Sequence, residues 1–164
     1  MKWRRMAAAD LEAVNALANI FHVTHFEDEQ IFAERLLLYP AGCHVLDNDG
    51  GLAGYAVTHP WMFGEPPSLN SLLQALPPRP DTYYVHDVVL AAPARGQQAG
   101  GTIVAALKDH ARALGLPNLS LLSLDVAVGF WQKHGFRLLA GAARADRLES
   151  YGGDVQFMVC PLTE

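Results

Sequence analysis

VVLAAPARGQQAGGT, residues 88–102, is the stretch that decides how this chain folds and what it can bind. It begins at the end of an apolar run over 82–90 that is typical of a strand, and it leads into an amphipathic pattern over 100–114 that predicts a helix. The turn between them contains Gly96, Gly100 and Gly101. Backbone N–H groups at a helix start lack partners within the helix, and the helix dipole adds positive charge there. The turn is therefore suited to bind a pyrophosphate.

Two well-characterised phosphate-binding sequences are absent from this turn. No Gly-Lys-Ser/Thr follows the glycines, so it is not a P-loop, and the spacing is not the Gly-x-Gly-x-x-Gly of dinucleotide-binding proteins. On the glycines alone, a purely structural turn explains the sequence as well as a binding site does.

The rest of the chain predicts helices and strands in an order that indicates an α+β fold. Strands are predicted at 2–5, 43–46, 52–59, 82–90, 119–124, 136–140 and 155–161, and helices at 11–21, 29–39, 100–114 and 127–134. We therefore expect a mixed central β-sheet flanked by helices.

Local signals set several of these boundaries. Asp10 is expected to cap the first helix, and Pro40 and Gly115 are expected to end two others. The segment DNDGG, residues 47–51, predicts a hairpin turn between the strands at 43–46 and 52–59. Residues 60–80 are rich in proline, glycine and serine, with a helical turn predicted at 69–76. A loop of this length is either a lid over a site or a variable surface excursion.

Length and composition indicate one folded domain. The chain has 164 residues, of which 51% are apolar. No apolar run approaches the ~18 residues that a membrane span needs, and the N-terminal segment lacks a signal-peptide pattern. The net charge of −5 argues against nucleic acid as a partner. Cys43 and Cys160 lie in apolar runs without further ligands at close spacing, so we interpret them as reduced, buried thiols of a cytoplasmic protein.

Two segments together resemble the GNAT superfamily of acetyltransferases. Arg95-Gly96-Gln97-Gln98-Ala99-Gly100, with Pro93 upstream, is similar to the family's Arg/Gln-x-x-Gly-x-Gly/Ala turn. Residues 127–136, AVGFWQKHGF, are similar to its Ala-x-x-Phe-Tyr-x-x-x-Gly-Phe segment. The spacing between them fits the family, as does the order of elements over nearly the whole chain. The resemblance implies a single GNAT-like acyltransferase domain over residues 1–164, with acetyl-CoA as co-substrate and no metal.

The same resemblance implies which residues contact the cofactor. Backbone groups of Val88, Val89 and Leu90 would pair with the pantetheine arm as if it were an added strand. The N–H groups from Gly96 to Gly101 would hold the pyrophosphate, and the segment around Phe130 would line the channel near the thioester. The implied cofactor-binding residues are Val88, Val89, Leu90, Arg95, Gly96, Gln97, Gln98, Ala99, Gly100, Gly101, Phe130 and Trp131.

Three residues depart from the family pattern. Gln98 stands where the family usually has glycine. A positive φ would cost a non-glycine residue about 1–2 kcal/mol, and we expect the helix start to hold Gln98 at ordinary angles instead. Leu124 stands where asparagine is common, which removes one amide contact with the cofactor. Trp131 replaces the tyrosine that many members use as general acid, and its indole N–H can donate a hydrogen bond but cannot deliver a proton.

His86 and Asp87 are the predicted catalytic residues. They occupy the strand position where similar enzymes often carry Glu-Asp, and an amine attacks a thioester only after losing its proton. Strand alternation predicts that the two side chains point to opposite faces, so that only one can meet the acceptor. A backbone N–H near Val89 is the expected donor to the oxyanion. A structural role for His86 and Asp87, hydrogen-bonded at the sheet edge, explains these residues equally well.

The acidic segment after the first helix bears on the acceptor. Glu27 and Asp28 are the predicted substrate-binding residues, and together with the net charge they favour a small cationic amine. A solvated stretch that caps the next helix is the alternative interpretation. His22 and His25 also suggest a metal, but the sequence places no third ligand.

Two functions therefore stay open. One is an N-acetyltransferase that moves an acetyl group from acetyl-CoA to an amine. The other is a coenzyme-A-binding sensor or interaction module without turnover, which Gln98 and Trp131 favour. The expected partner is a small-molecule amine, not nucleic acid or a membrane, and a homodimer is left open.

Overall fold

The computed structural model describes residues 1–96 and 98–162, which form one seven-stranded sheet with helices on both faces. The strands are β1 (Lys2–Arg5), β2 (Cys43–Asn48), β3 (Gly51–Trp61), β4 (Thr82–Leu90), β5 (Asn118–Leu124), β6 (Arg137–Leu138) and β7 (Val155–Pro161). The helices are α1 (Leu11–Phe21), α2 (Glu29–Leu38), α3 (Ala99–Ala113), α4 (Val128–Lys133) and α5 (Ala145–Glu149).

The sheet is mixed, as the sequence predicts. Its strand order is β1-β2-β3-β4-β5-β7-β6. Among the described strands, only β4 and β5 pair in parallel, and every other neighbouring pair is antiparallel. The α+β fold with a central sheet and flanking helices is thereby confirmed.

Each face of the sheet buries its own apolar cluster. On one face, α1 and α2 cover Cys43, Val45, Tyr55, Val57 and Val89. On the other, α3 and α4 cover a larger cluster built around Tyr83, Val85, Leu119, Leu121 and Met158. The two faces use alternate residues of the same strands, which is the pattern that a sheet buried on both sides requires.

The two central strands separate halfway along their length. Strand β4 pairs with β5 only from Tyr83 to Val85, opposite Leu119 to Leu121. Beyond that point β4 continues to pair with β3 alone, while β5 continues to pair with β7 up to Leu124. In the part of the chain that the structure describes, the last five residues of β4 therefore have one unpaired edge, and the gap between the strands opens towards the N-terminus of α3.

Two local expectations are wrong, and one short helix was missed. No helix forms at 69–76, because Glu34 accepts hydrogen bonds from the backbone N–H groups of Leu73 and Gln74, and Gln74 has a positive φ of 74°. Asp10 makes no side-chain cap on α1; its carboxylate accepts from the N–H of Ala7 and pairs with Arg4. Helix α5 was not predicted.

The expectations for one turn, two helix ends and the two cysteines are confirmed. The turn at residues 48–51 joins β2 to β3, α2 stops before Pro40, and Gly115 ends α3 with φ of 75°. Cys43 and Cys160 are free and buried. Burial raises the pKa of the Cys43 thiol to about 12, so it stays protonated at neutral pH. Within the described residues, no helix is both long and apolar enough to cross a membrane.

Candidate active site

A β-bulge in β4 determines where the predicted catalytic residues point. Val57 of β3 lies opposite Asp87, but the next residue, Thr58, lies opposite Val85, so His86 is an extra residue in β4. A bulge places two consecutive side chains on one face of the sheet. His86 and Asp87 accordingly line the same pocket. The expectation that they point to opposite faces is wrong, because simple alternation does not hold across a bulge.

Two hydrogen bonds show which backbone groups face the unpaired edge of β4. The N–H of Ala91 donates to the carbonyl of Ala53 at 2.8 Å, so Ala91 faces β3. Successive strand residues turn their N–H and C=O groups to opposite sides. The backbone N–H and C=O of Leu90 therefore point to the open edge, those of Val89 point to β3, and those of Val88 point to the open edge again. In agreement, the Leu90 carbonyl accepts from Nε of Arg95 at 3.1 Å. The N–H of Val88 therefore faces the open edge, whereas the N–H of Val89 does not.

A cleft of about 740 Å³ lies where β4 ends and α3 begins, within the size range of ligand sites. It is lined by Leu90, Ala94, Arg95, Gly96, Gln98, Gly100, Gly101, Thr102, Ala105, Phe130, Lys133 and His134. Seven of the twelve predicted cofactor-binding residues are among them, and Ala99 is buried at the first position of α3. Gln97 lies outside the described residues. The guanidinium of Arg95 packs over the ring of Phe21, 5.3 Å from its centre.

Gln98 adopts a left-handed conformation, so the expectation that it keeps ordinary backbone angles is wrong. Its φ is 63° and its ψ is 5°. The residue precedes α3 directly, and its carbonyl accepts from the N–H of Thr102 at 3.0 Å. The turn therefore keeps the geometry that glycine normally provides and bears the strain of a side chain there, about 1–2 kcal/mol.

Gly100 is needed for close packing between α3 and α4. A Cβ atom at this position would lie 2.8 Å from Cε1 of Phe130 and 3.2 Å from Cδ1 of Leu90. At Gly101 the nearest atom would be Cε1 of His134 at 3.5 Å, an ordinary contact. Gly100 thus allows the ring of Phe130 to approach the helix start.

A second, smaller pocket of about 120 Å³ lies in the gap between β4 and β5. Strand β4 contributes Val85, His86, Asp87 and Val88, and β5 contributes Leu121, Leu122, Ser123 and Leu124. His22, His25 and Glu27 close it from the loop between α1 and α2. Leu69, Ala127, Trp131, Tyr151 and Val155 complete the lining. We refer to it as the inner pocket.

Two histidine–carboxylate pairs lie in the inner pocket. Nε2 of His22 is 2.9 Å from both carboxylate oxygens of Asp87. Nε2 of His86 is 2.7 Å from Oε1 of Glu27. Because an ionised carboxylate only accepts hydrogen bonds, each of these Nε2 atoms is the donor. Tyr55, fully buried in β3, also donates to Asp87 at 2.5 Å. No local signal in the sequence indicates Tyr55 as a site residue, because only the register of β3 against β4 brings it to Asp87.

The charges of these groups follow from their surroundings. Burial acts to raise the pKa of Glu27, but His86 and the N–H of Asn70 lower it by more, to about 2. Burial acts to lower the pKa of His22, but the Asp87 carboxylate and Glu27 raise it by more, so it lies above its usual value. Burial, with the adjacent Asp87, raises the pKa of Tyr55 well above its ordinary value. At neutral pH, Glu27 is ionised and Tyr55 is neutral.

Only one of the two predicted substrate-binding residues lines the inner pocket. Glu27 does, and its second oxygen accepts from the N–H of Asn70 at 2.9 Å. Asp28 lies outside the pocket, where its carboxylate accepts from Nδ2 of Asn70 at 3.2 Å and its backbone leads into α2. The acidic character of the pocket therefore comes from Glu27 and Asp87.

The inner pocket is covered by two loop segments, 66–70 and 150–154, which we call the roof. Leu69 N–H donates to Oγ of Ser150 at 2.9 Å, and the hydroxyl of Tyr151 donates to the carbonyl of Pro67 at 3.1 Å. His25, only 7% exposed, lies 2.8 Å from the carbonyl of Tyr151 and 3.0 Å from Asp154. His22 and His25, which suggested a metal, thus each have another partner, and no group of three ligating side chains occurs within residues 1–96 and 98–162.

Comparison with known proteins gives the same architecture. The model of the acetyltransferase (GNAT) family matches residues 11–136. A search of curated protein sequences found no match. Among solved structures, GphF, a GNAT-like decarboxylase in complex with isobutyryl-CoA, has 16% sequence identity and a TM-score of 0.79, covering 99% of this chain and 100% of that one.

Two further structures are similar at the level of the fold. Naa20 from Chaetomium thermophilum, in complex with a bisubstrate analogue, is 20% identical with a TM-score of 0.73, covering 99% of this chain and 87% of that one. N-acetylglutamate synthase from Neisseria gonorrhoeae, complexed with coenzyme A and N-acetyl-glutamate, is 17% identical with a TM-score of 0.73, covering 99% of this chain and 35% of that one. With the family model spanning most of the chain, and the two separating strands leading to a glycine-bearing helix start, this protein belongs to the GNAT family of acetyltransferases.

Proposed function

We propose that this protein is an N-acetyltransferase that moves the acetyl group of acetyl-CoA directly to a small cationic amine. One observation carries the proposal: the open edge of β4 runs from the cleft at the start of α3 to the inner pocket. A pantetheine arm paired along Val88 to Leu90, with its pyrophosphate at the start of α3, would bring its thioester to the entrance of the inner pocket. Residues 1–164 would then act as one acetyl-CoA-dependent domain.

The charges of the inner pocket favour an amine over other acceptors. Glu27 is ionised, and Asp87 lines the same pocket. Two carboxylates attract an ammonium group and orient it before it loses its proton. The pocket is small, about 120 Å³, and the roof covers it, which favours a small molecule over a polypeptide chain.

The backbone N–H of Val88 is the proposed donor to the tetrahedral oxyanion, because it faces the open edge beside the bulge. The leaving thiolate has a pKa near that of cysteine, about 8.5, so it departs with modest help. Trp131 lines the inner pocket as an apolar wall that excludes water from the thioester.

GphF is described as a decarboxylase, so the fold alone leaves the reaction open. Glu27 and Asp87 argue against decarboxylation here, because their carboxylates would repel the carboxylate of a malonyl-type thioester. Decarboxylation of malonyl-CoA is therefore expected to be absent.

The test is steady-state kinetics with acetyl-CoA across polyamines, amino acids, basic peptides, and neutral and anionic amines, measured as free thiol and confirmed by product mass. We expect small cationic amines to be the best acceptors. Their Michaelis constants should rise with salt, since the attraction is screened over a Debye length of about 8 Å at physiological ionic strength. Neutral or anionic amines as best acceptors, without a salt effect, would refute the acceptor class. Acetyl-CoA binding without turnover on any amine would favour a sensor instead.

A further inference from the structure

The two histidine–carboxylate pairs of the inner pocket differ in one respect that decides which can exchange a proton with a bound amine. In His86, Nε2 is bonded to Glu27, and Nδ1 is fully buried without a hydrogen-bond partner among residues 1–96 and 98–162. Its side chain is only 2% exposed. A proton on the acceptor therefore has no route to either ring nitrogen of His86 without movement of the protein.

His22 is arranged differently. Its Nε2–H is held by both oxygens of Asp87, so the neutral ring carries its lone pair on Nδ1. Within the described residues Nδ1 has no hydrogen-bond partner, and it is not among the buried polar atoms. The His22 side chain is 21% exposed and lines the inner pocket. The free nitrogen is therefore the accessible one, and its tautomer is fixed by the carboxylate behind it.

Asp87 is suited to orient His22 rather than to act as the base itself. Both of its oxygens contact Nε2 of His22, and one also accepts from the buried hydroxyl of Tyr55. Since Tyr55 comes from β3 and His22 from the end of α1, the carboxylate ties the two elements together beside Val88. This places the imidazole next to the backbone edge at which the thioester would lie.

We infer that His22, oriented by Asp87 and Tyr55, is the catalytic residue that takes the proton from the acceptor ammonium. The inference rests on the proposed N-acetyltransferase function. It assigns His86 and Glu27 a positioning role instead: the pair carries the negative charge of Glu27 to the pocket wall and holds the loop after α1 against β4.

The step balances as follows. Nδ1 of neutral His22 removes one proton from R–NH3⁺, which frees the nitrogen lone pair. The amine attacks the thioester carbonyl carbon, a C–N bond forms, and the carbonyl oxygen becomes an oxyanion. Collapse breaks the C–S bond and releases the CoA thiolate. The second proton leaves the new amide nitrogen for the thiolate, and His22 returns its proton to solvent. The products are the acetamide, coenzyme A and one proton.

The groups that face His22 make its titration specific. Asp87 and His86 face it from β4, Glu27 and His25 from its own loop, Tyr55 from β3 through Asp87, and Tyr151 from the roof. Burial acts to lower the pKa of His22, but the two carboxylates raise it by more, so its pKa lies above the ordinary histidine value. The rate at low acceptor concentration should therefore fall as pH drops through that raised pKa.

The experiment compares His22→Gln with wild type on two acceptors at saturating acetyl-CoA. The first is the best cationic amine of the panel. The second is methoxyamine, a weakly basic amine that is already neutral across the working pH range and needs no base. General-base catalysis typically contributes 10²–10⁴-fold, so kcat/KM for the cationic amine should fall by about that factor. For methoxyamine we expect a loss below tenfold.

Controls separate the roles. His44→Gln, on β2 and outside the inner pocket, should change neither rate by more than twofold. Asp87→Asn should move the acid limb of the pH profile to lower pH and lower the pKa of His22 in a histidine NMR titration. Equal losses on both amines, no loss on either, or an amine-dependent loss in His86→Gln instead would overturn the inference. If wild type transfers acetyl to no amine, the proposed function fails, and this inference fails with it.

Discussion

At the scale of single residues, Glu27 shows how burial and charge are balanced in the pocket. Its side chain is 9% exposed, and a carboxylate at that depth stays ionised only with strong partners. His86 and the N–H of Asn70 supply them and hold the pKa of Glu27 at about 2. The same contacts that prepare the pocket for an ammonium group also fasten the loop before α2 to the sheet.

This balance predicts a pH dependence of stability. A carboxyl whose folded pKa lies below its unfolded value of 4.5 stabilises the fold above that pH, and the contribution is lost as pH falls towards 2. Glu27→Gln should therefore cost about 1–3 kcal/mol of unfolding free energy near pH 6. The difference from wild type should shrink between pH 4.5 and 2.

Urea unfolding at a series of pH values measures this difference. Asp28→Asn is the matched control, because Asp28 bonds to Asn70 at the surface rather than to His86. It should change stability by less than about 0.5 kcal/mol. A Glu27→Gln variant that loses the same free energy at pH 3 as at pH 6 would contradict the assignment of the ionised pair.

Residue-level signals in the sequence predicted some features and missed others for a physical reason. Gly115 and the glycine-bearing turn at 48–51 act through their own backbone angles, so local sequence was enough to predict them. Gln98 adopts a positive φ although its side chain disfavours it. The structure around it outweighs the local preference there, and no single-residue rule could have predicted that outcome.

At the scale of elements, the end of β4 and the start of α3 are positioned by contacts with α4. Phe130 of α4 lies against Gly100, where a Cβ would come within 2.8 Å of the ring. The ring also packs edge-on against Trp131, 5.0 Å between centres, which links the cleft to the wall of the inner pocket. Gly100, one of the glycines in the predicted pyrophosphate-binding turn, thus also sets the spacing between α3 and α4.

Two neighbouring glycines test this packing. Gly100→Ala forces the ring of Phe130 or helix α4 to move, and overpacking of this kind costs about 1–3 kcal/mol. Gly101→Ala meets only an ordinary contact and gains up to about 1 kcal/mol of helix propensity. Denaturant unfolding of both variants should therefore show changes of opposite sign. Equal changes would contradict the role of Gly100 in helix packing.

The bulge in β4 is a feature that local sequence could not predict. His86 and Asp87 were identified from their place before the glycine-bearing turn, but their shared face depends on the register of β3, about 30 residues earlier in the chain. His22 and Tyr55 were likewise beyond local prediction as partners of Asp87, because 65 and 32 residues separate them from it. Local sequence was therefore enough to identify His86 and Asp87 as site residues, but it could not predict which residues they pair with.

At the scale of the whole molecule, the two faces of the sheet contribute different groups to the proposed site. The face covered by α3 and α4 holds the helix start and the cleft, and the face covered by α1 and α2 supplies His22, Glu27 and Tyr55. Where β4 separates from β5, groups from both faces of the sheet meet at the gap between the two strands. Periodicity in the sequence predicted the mixed sheet and its flanking helices, since those patterns follow from burial on both faces. How far β4 and β5 separate depends on which of their residues no longer pair with each other. That is determined only by the assembled sheet and cannot be predicted from local sequence.

The central claim is that the open edge of β4 and the start of α3 bind acetyl-CoA, with the thioester beside Val88. Residue-resolved amide hydrogen exchange, with and without saturating acetyl-CoA, tests it most directly, because it observes the backbone groups themselves. We predict slowed exchange at the N–H groups of Val88 and of residues 99–101, with unchanged exchange in β1 and β2 at the far edge of the sheet. Bound acetyl-CoA that leaves Val88 and residues 99–101 unprotected, or that protects another surface instead, would contradict the account.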